Sequence, residues 1–345
     1  MITDKQLRFQ TPTDLDHQWA ETFWFGLYVP ESNIYGWVYM VFRAGSGAMT
    51  CDVEFIDRSS SDMYDARYID IQNHLNIPAK LEKFSLANGL SFEALDPRRY
   101  RIDYVGVGGT EIHLDLEGIH EPYDIHDKNI DPMARQEQHD AIEHSGFGTA
   151  YAGHFDLTTR VTGSIQIRGT EYPVDCLATQ DHSWGPRPER GMRPMGYVNA
   201  HFDNDYVMQS IWDFDPSKPD GEQHTFKHGY IVKDGELTGG IDGQLTIRHE
   251  GMYPSSLELT IKDAHGTVHT ATGTPRAFNN WVPYGCTPTA HAMVQWTNES
   301  GLEGIGTSME AYPLDTVTGD YLHRDIRLTG TGRRSDAEQA AAIGS

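Results

Sequence analysis

Period-two alternation of apolar and polar residues recurs along this chain and constrains its fold more than any other feature. In Glu111-Ile-His-Leu-Asp-Leu-Glu117, the residues Ile112, Leu114 and Leu116 point one way, while acids and a histidine point the other. Arg99–Tyr104 and Ser256–Lys262 repeat the pattern, and Ile34–Phe42 is an aromatic and β-branched run. Turn dipeptides separate such segments: Asn204-Asp205, Asp234-Gly235, His265-Gly266 and Ser300-Gly301. Strands set off by turns, with few helical windows, predict an all-β chain, arranged as two antiparallel barrels. One short helix is expected in Asp131–His144, where an acid stands at the N-cap and Pro132 at the first helical position. The least strand-like stretch, Asp181–Pro194, marks the expected division. It gives a first β domain over 1–190, a second over 191–332 and a flexible tail over 333–345.

The charge balance narrows the partners. Fifty acids against 27 bases give a net charge of −23, which argues against a nucleic-acid or anionic-membrane surface. Cys51, Cys176 and Cys286 lie far apart with no CxxC, so neither a disulfide framework nor a zinc ribbon is expected. The chain starts without a basic, then apolar, leader and contains no run long enough to span a bilayer. A cytoplasmic protein acting on a neutral or cationic small molecule fits these features. The 17 histidines raise the question of a metal. No HExxH is present, and His139 and His144 are five apart, a poor spacing for one helical face. We read His120–Asp127 and His139–His144 as solvated surface and expect no metal and no cofactor. GxSxG, Walker A and a dinucleotide fingerprint are absent, and Val105-Gly-Val-Gly-Gly109 reads as a turn.

Two segments carry a resemblance. Gly153–Ile165 has a His-x-acid strand followed by Val-x-Gly, and Asp181-His-Ser-Trp-Gly-Pro-Arg187 follows it. Together with the aromatic strand Glu21–Tyr28 and, more generically, Leu90–Arg101, they resemble the two-domain, lipocalin-like family of carotenoid 1,2-hydratase (hydroxyneurosporene synthase) and the AttH-like proteins. The resemblance covers the first two hundred residues, and the remainder only by strand rhythm. It implies two lipocalin-like barrels around an apolar cavity and a long, unsaturated, water-poor ligand. Some relatives hydrate isolated double bonds; others look like cyclisation or pericyclic catalysts. The hydratases follow their His-x-Trp with a Tyr-x-Asp pair. Here the nearest match is Tyr197-Val-Asn199, with an amide where the acid belongs. Either Asp181 or Asp213 substitutes, or the chemistry differs.

Alkene hydration needs a proton donor, a site that tolerates a carbocation and a held water. Asp181 or His182 is the candidate donor, tuned by burial. Trp184, two residues from His182, shares its side of an extended segment and offers a π face to a cation. Tyr197 completes the candidate catalytic set. The alternative is structural, with Asp181 bonded to backbone amides, Arg187 paired with it and Trp184 plugging a barrel end. Candidate substrate contacts are Trp24, Trp37, His154, Arg187, Asn199, His201, Trp212 and Asp213. His154 and Asp156 form either a base with its orienting acid or a plain surface pair. Tyr197, Asn199 and His201 alternate onto one face, which lines a pocket if it points into a barrel and is solvated if it points out. The first reading is a cofactor-free hydratase, dehydratase or double-bond isomerase on a terpenoid or polyketide-like substrate. A carrier of lipophilic molecules and a cyclase shaping a polyene are the rivals. Oligomeric state stays open.

Overall fold

The computed structural model of the protein describes residues 1–12, 16–188, 191–203 and 206–316. The predicted turn at Asn204-Asp205 and the tail at 333–345 lie outside the described residues. The chain is nearly all β, as the alternation predicts. Strands β1 (Trp19–Val29), β2 (Ile34–Arg43), β3 (Ala48–Ile56), β4 (Tyr68–Asn76), β5 (Lys83–Ser85) and β6 (Leu90–Asp96) come first. Next follow β7 (Arg99–Val105), β8 (Glu111–Gly118), β9 (Tyr123–Asp124), β10 (Gly153–Ile167) and β11 (Thr170–Pro186). These eleven strands make one antiparallel sheet in the order β4-β3-β2-β1-β11-β10-β8-β7-β6-β5, with β9 beside β10. This sheet curls but stays open, where a closed barrel was expected.

The remaining strands are β12 (Met195–Asp203), β13 (Tyr206–Phe214), β14 (His224–Lys233), β15 (Glu236–Glu250), β16 (Tyr253–Asp263), β17 (Val268–Tyr284), β18 (Thr287–Asn298) and β19 (Glu303–Ala311). They close into an eight-stranded barrel, β19 pairing back onto β12. Closure removes both sheet edges. Val198, Met208, Trp212, Phe226, Leu259 and Trp296 fill the barrel interior, so its core is packed side chain against side chain.

The expected helix is present but short. Helix α1 covers Gln138–His144, and its N-cap is Glu137 rather than Asp131. Asp131 is engaged elsewhere: Oδ1 accepts the Met133 amide at 2.7 Å, and Oδ2 meets His228 Nδ1 at 2.5 Å on the barrel. No helix of the described residues is long and apolar enough to cross a membrane.

Burial along the strands shows where the two sheets meet. In β8, buried and exposed residues alternate, the mark of one wet face. In β1 every residue after Trp19 is buried, and in β2 every residue before Arg43. Such strands are covered on both faces. One face, with Phe23 and Phe25 against Phe92 and Tyr100, fills the curl of the first sheet; each such ring contributes about 1.5–3 kcal/mol by burial. The other face packs against the outside of the barrel.

Candidate active site

Register and period two together build the site. Asp156, Asp181, Trp24, Tyr39 and Asp52 are cross-strand neighbours on β10, β11, β1, β2 and β3, one row across the sheet. His154, Ser183 and Thr22 form the next row. Tyr197, Trp281 and His291 meet these rows from the barrel. A narrow cavity lies between the two sheets, walled by Trp24, Tyr39, Tyr151, Tyr197, Trp281 and Tyr284, with Asp181, Ser183 and Arg187 among its polar groups. The space open to the centres of water molecules is about 40 Å³, enough for a few waters. The cavity expected inside a barrel is thus found between the barrel and the open sheet.

The two carboxyls of the row differ in their partners. Asp156 Oδ1 accepts the Tyr197 hydroxyl at 2.8 Å, and Oδ2 accepts Gln209 Nε2 at 3.0 Å and faces His154 Nε2 at 3.1 Å. Asp181 borders the cavity with Oδ1 buried and unpartnered. Burial pushes its carboxyl up to about 7; Asp156 adds to the rise, and His154 and Arg187 oppose it. Near neutral pH it is therefore poised between acid and carboxylate. Arg187 is itself buried and donates to Ser183 Oγ at 2.6 Å, Thr22 Oγ1 at 3.2 Å, the Ala150 carbonyl at 3.3 Å and the hydroxyls of Tyr39 and Tyr284. Burial also holds the phenols of Tyr39, Tyr151 and Tyr197 well above their ordinary range, so they serve as neutral hydrogen-bonding groups.

Of the predicted residues, Trp24, Asp181, Arg187 and Tyr197 border this cavity. His182 and Trp184 do not. They share a face, as their spacing requires, but it is the face opposite Asp181 and Ser183. His182 is fully buried in the curl of the first sheet, stacked on Phe23 at 4.1 Å and 5.0 Å from the Trp184 ring. Its Nε2 lies 3.8 Å from Glu21 Oε2. Burial lowers its pKa against the pull of Glu21, which favours a neutral ring. Trp184 covers Gly153, its cross-strand neighbour: a Cβ there would come within 2.0 Å of the indole. Gly153→Ala is therefore expected to displace Trp184 and to destabilise the fold by about 1–3 kcal/mol, read as a lowered urea midpoint at unchanged slope.

The other predicted contacts sit behind or away from the cavity. His154 is buried, stacked on Tyr151 at 3.9 Å and paired with Asp156, not on the surface. Trp37 packs on His291 at 4.6 Å. Tyr197, Asn199 and His201 point out of the barrel yet are buried, because the first sheet covers that face. Asn199 Oδ1 accepts the Thr307 amide at 2.9 Å, and His201 Nε2 meets Thr179 Oγ1 at 2.8 Å. Trp212 belongs to the barrel core and donates to Ser210 Oγ at 2.9 Å. Asp213 pairs with Lys227 at 2.6 Å, outside the cavity, so it does not stand in for the missing acid. His120, expected in solvent, is buried and accepts the Thr158 amide at 3.0 Å. Sequence reasoning missed Tyr39, Tyr151, Trp281 and Tyr284. For Tyr39 a signal existed, since it shares strand parity with Trp37. For Trp281 and Tyr284, which arrive from the other sheet, none did. Among the described residues no group of three or more His, Cys, Asp or Glu side chains is placed to hold a metal ion.

The family described as a domain of unknown function, DUF7064, matches residues 4–311. The chain belongs to that family. No curated protein matches the sequence of this DUF7064 chain. Its fold is similar to that of an AttH-like protein from Nitrosomonas europaea, with a TM-score of 0.57 at 12% identity over 85% of this chain and 92% of that one. It is also similar to kievitone hydratase from Nectria haematococca, with a TM-score of 0.51 at 9% identity over 85% of this chain and 88% of that one. At these identities the likeness is one of fold.

Proposed function

We propose that this DUF7064 protein is a cofactor-independent hydratase, dehydratase or double-bond isomerase. Its substrate is an unsaturated hydrophobic molecule of terpenoid or polyketide-like skeleton. It works between two β domains that divide near residue 190. The observation that carries the reading is Asp181: a carboxyl with an unpartnered oxygen, shifted to about 7, in an aromatic-walled cavity. The fold shared with a protein named as a hydratase supports it.

In the hydration direction the Asp181 O–H bond breaks and its proton goes to one alkene carbon. The π electrons form that C–H bond and leave a cation at the other carbon. Trp24, Trp281 and Tyr197 offer π faces to that cation, each worth roughly 0.5–2 kcal/mol when desolvated. The Asp181 carboxylate formed in this step is stabilised by the buried Arg187 guanidinium. A water on the cavity hydroxyls adds to the cation, and its proton returns to Asp181. Dehydration is the reverse, and loss of a different proton from the cation is isomerisation.

Because the donor must be protonated, kcat for hydration is expected to fall tenfold per pH unit above about 7. A pH profile of kcat flat from 6 to 9 contradicts this. Incubation of a panel of terpenoid and polyene alkenes, with product analysis by mass spectrometry, tests the activity itself.

A further inference from the structure

The cavity around Asp181 holds a few waters, far less than an unsaturated lipid, so the ligand needs more room than the cavity alone gives. Beside it lies an open cleft of about 660 Å³ between β2, β3 and β4 and the end of β17. Cleft and cavity share Pro283 and Tyr284 as a common wall. The Tyr284 hydroxyl is held by Tyr39 and Arg187. Its backbone is less firmly tied, because the β17–β18 register breaks between Trp281 and Tyr284, and a Cβ on Gly285 would meet nothing within 4 Å. Such irregular pairing re-aims a side chain.

We propose that cleft and cavity are two halves of one binding site, with Tyr284 as the movable wall between them. The inner half takes the unsaturated end of an elongated molecule, and the outer half takes an uncharged, hydroxyl-bearing head. The lining of the cleft sets that head chemistry. Asp52, almost fully buried, accepts the Trp281 indole N–H on Oδ2 at 3.2 Å. Asp70, which accepts the Tyr104 hydroxyl on Oδ2 at 2.5 Å and Gln72 Nε2 on Oδ1 at 2.6 Å, lies in the same cleft, with Thr50 and Asn73 nearby. The two carboxyls accept hydrogen bonds from hydroxyls and disfavour an anionic head. The cation of the lining, Arg43, donates to the Arg187 carbonyl at 3.5 Å.

This inference rests on the alkene reading for the nature of the ligand's tail. Its test reads binding without turnover, so the two fail separately. Stopped-flow quenching of tryptophan fluorescence follows association of farnesol, a neutral alkenol, with Trp24 and Trp281 in the cavity wall as reporters. Tyr284→Ala is expected to raise the association rate constant at least tenfold. Ile71→Trp, which fills the cleft from β4 and leaves the cavity wall alone, is expected to lower it at least tenfold. Farnesoic acid at pH 8 is expected to bind at least tenfold more weakly than farnesol, with the gap narrowing in Asp52→Asn. Association rates unchanged in both variants, farnesoic acid binding as tightly as farnesol, or no saturable farnesol binding to the wild type or to Tyr284→Ala each overturns the proposal.

Discussion

Asp181→Asn is expected to cut kcat by roughly 10²–10⁴-fold, the usual contribution of a general acid, while binding of the unreacted alkene stays within a few-fold. The amide is nearly isosteric with the carboxyl, so the cavity keeps its shape. Stability moves the other way. The folded pKa of Asp181 is about 7 against an ordinary 3.8, so between these values the folded state holds a proton that the unfolded state releases. The stability contributed by the protonated acid is complete below about pH 4, declines as pH rises toward 7, and is lost above it. The full window of about three pH units corresponds to at most about 4 kcal/mol. Asp181→Asn removes this loss, so the variant gains on the wild type between pH 4 and 8. Denaturant titrations of both proteins at pH 4.5 and 8 read the difference. A variant whose stability tracks the wild type at both values contradicts the assignment of the raised pKa to Asp181.

Arg187→Met is expected to be the most destabilising single change at this site, costing about 3–5 kcal/mol at pH 8. The side chain is buried and gathers Ser183, Thr22, the Ala150 carbonyl, Tyr39 and Tyr284 around one guanidinium. Met fills similar volume but leaves those acceptors without their donor. It also leaves the ionised Asp181 without its compensating charge. Below pH 6 Asp181 carries its own proton, so the loss is smaller there. Asp181→Asn combined with Arg187→Met therefore costs less at pH 8 than the sum of the two single changes, a coupling that a double-mutant cycle measures. Strict additivity at pH 8 contradicts an electrostatic coupling between these two groups.

How much of this is legible in the sequence depends on which physical rule decides each feature. Alternation in Glu111–Glu117 reads directly as a strand with one wet face, and β8 bears it out. Period two also places His182 with Trp184, and Asp181 with Ser183. It does not say which of the two faces meets the barrel, because β11 has no exposed residue on either face from Leu177 onward, and Asp181 rather than His182 borders the cavity. The outward face of Tyr197, Asn199 and His201 falls to the same cause: a second sheet covers it, and no local pattern announces that sheet. The helix start at Asp131 fails because its carboxyl is taken by Met133 and His228, a contact 97 residues away. The Asp181–Arg187 motif, part of the stretch read as least strand-like, is regular strand as far as Pro186, because β1 and β10 pair with it on either side. Its glycine also has a reason. Gly185 has φ +151°, and a Cβ there would come within 2.1 Å of the Thr149 carbonyl oxygen.

The most direct test of the account is turnover in deuterated water of an alkene that the cavity binds, with wild-type protein and Asp181→Asn side by side. The account predicts one deuterium at carbon in the hydrated or isomerised product of the wild type, and at least a hundredfold slower labelling in the variant. Ligand returned unchanged, a rearranged skeleton without deuterium at carbon, or equal labelling by both proteins contradicts it.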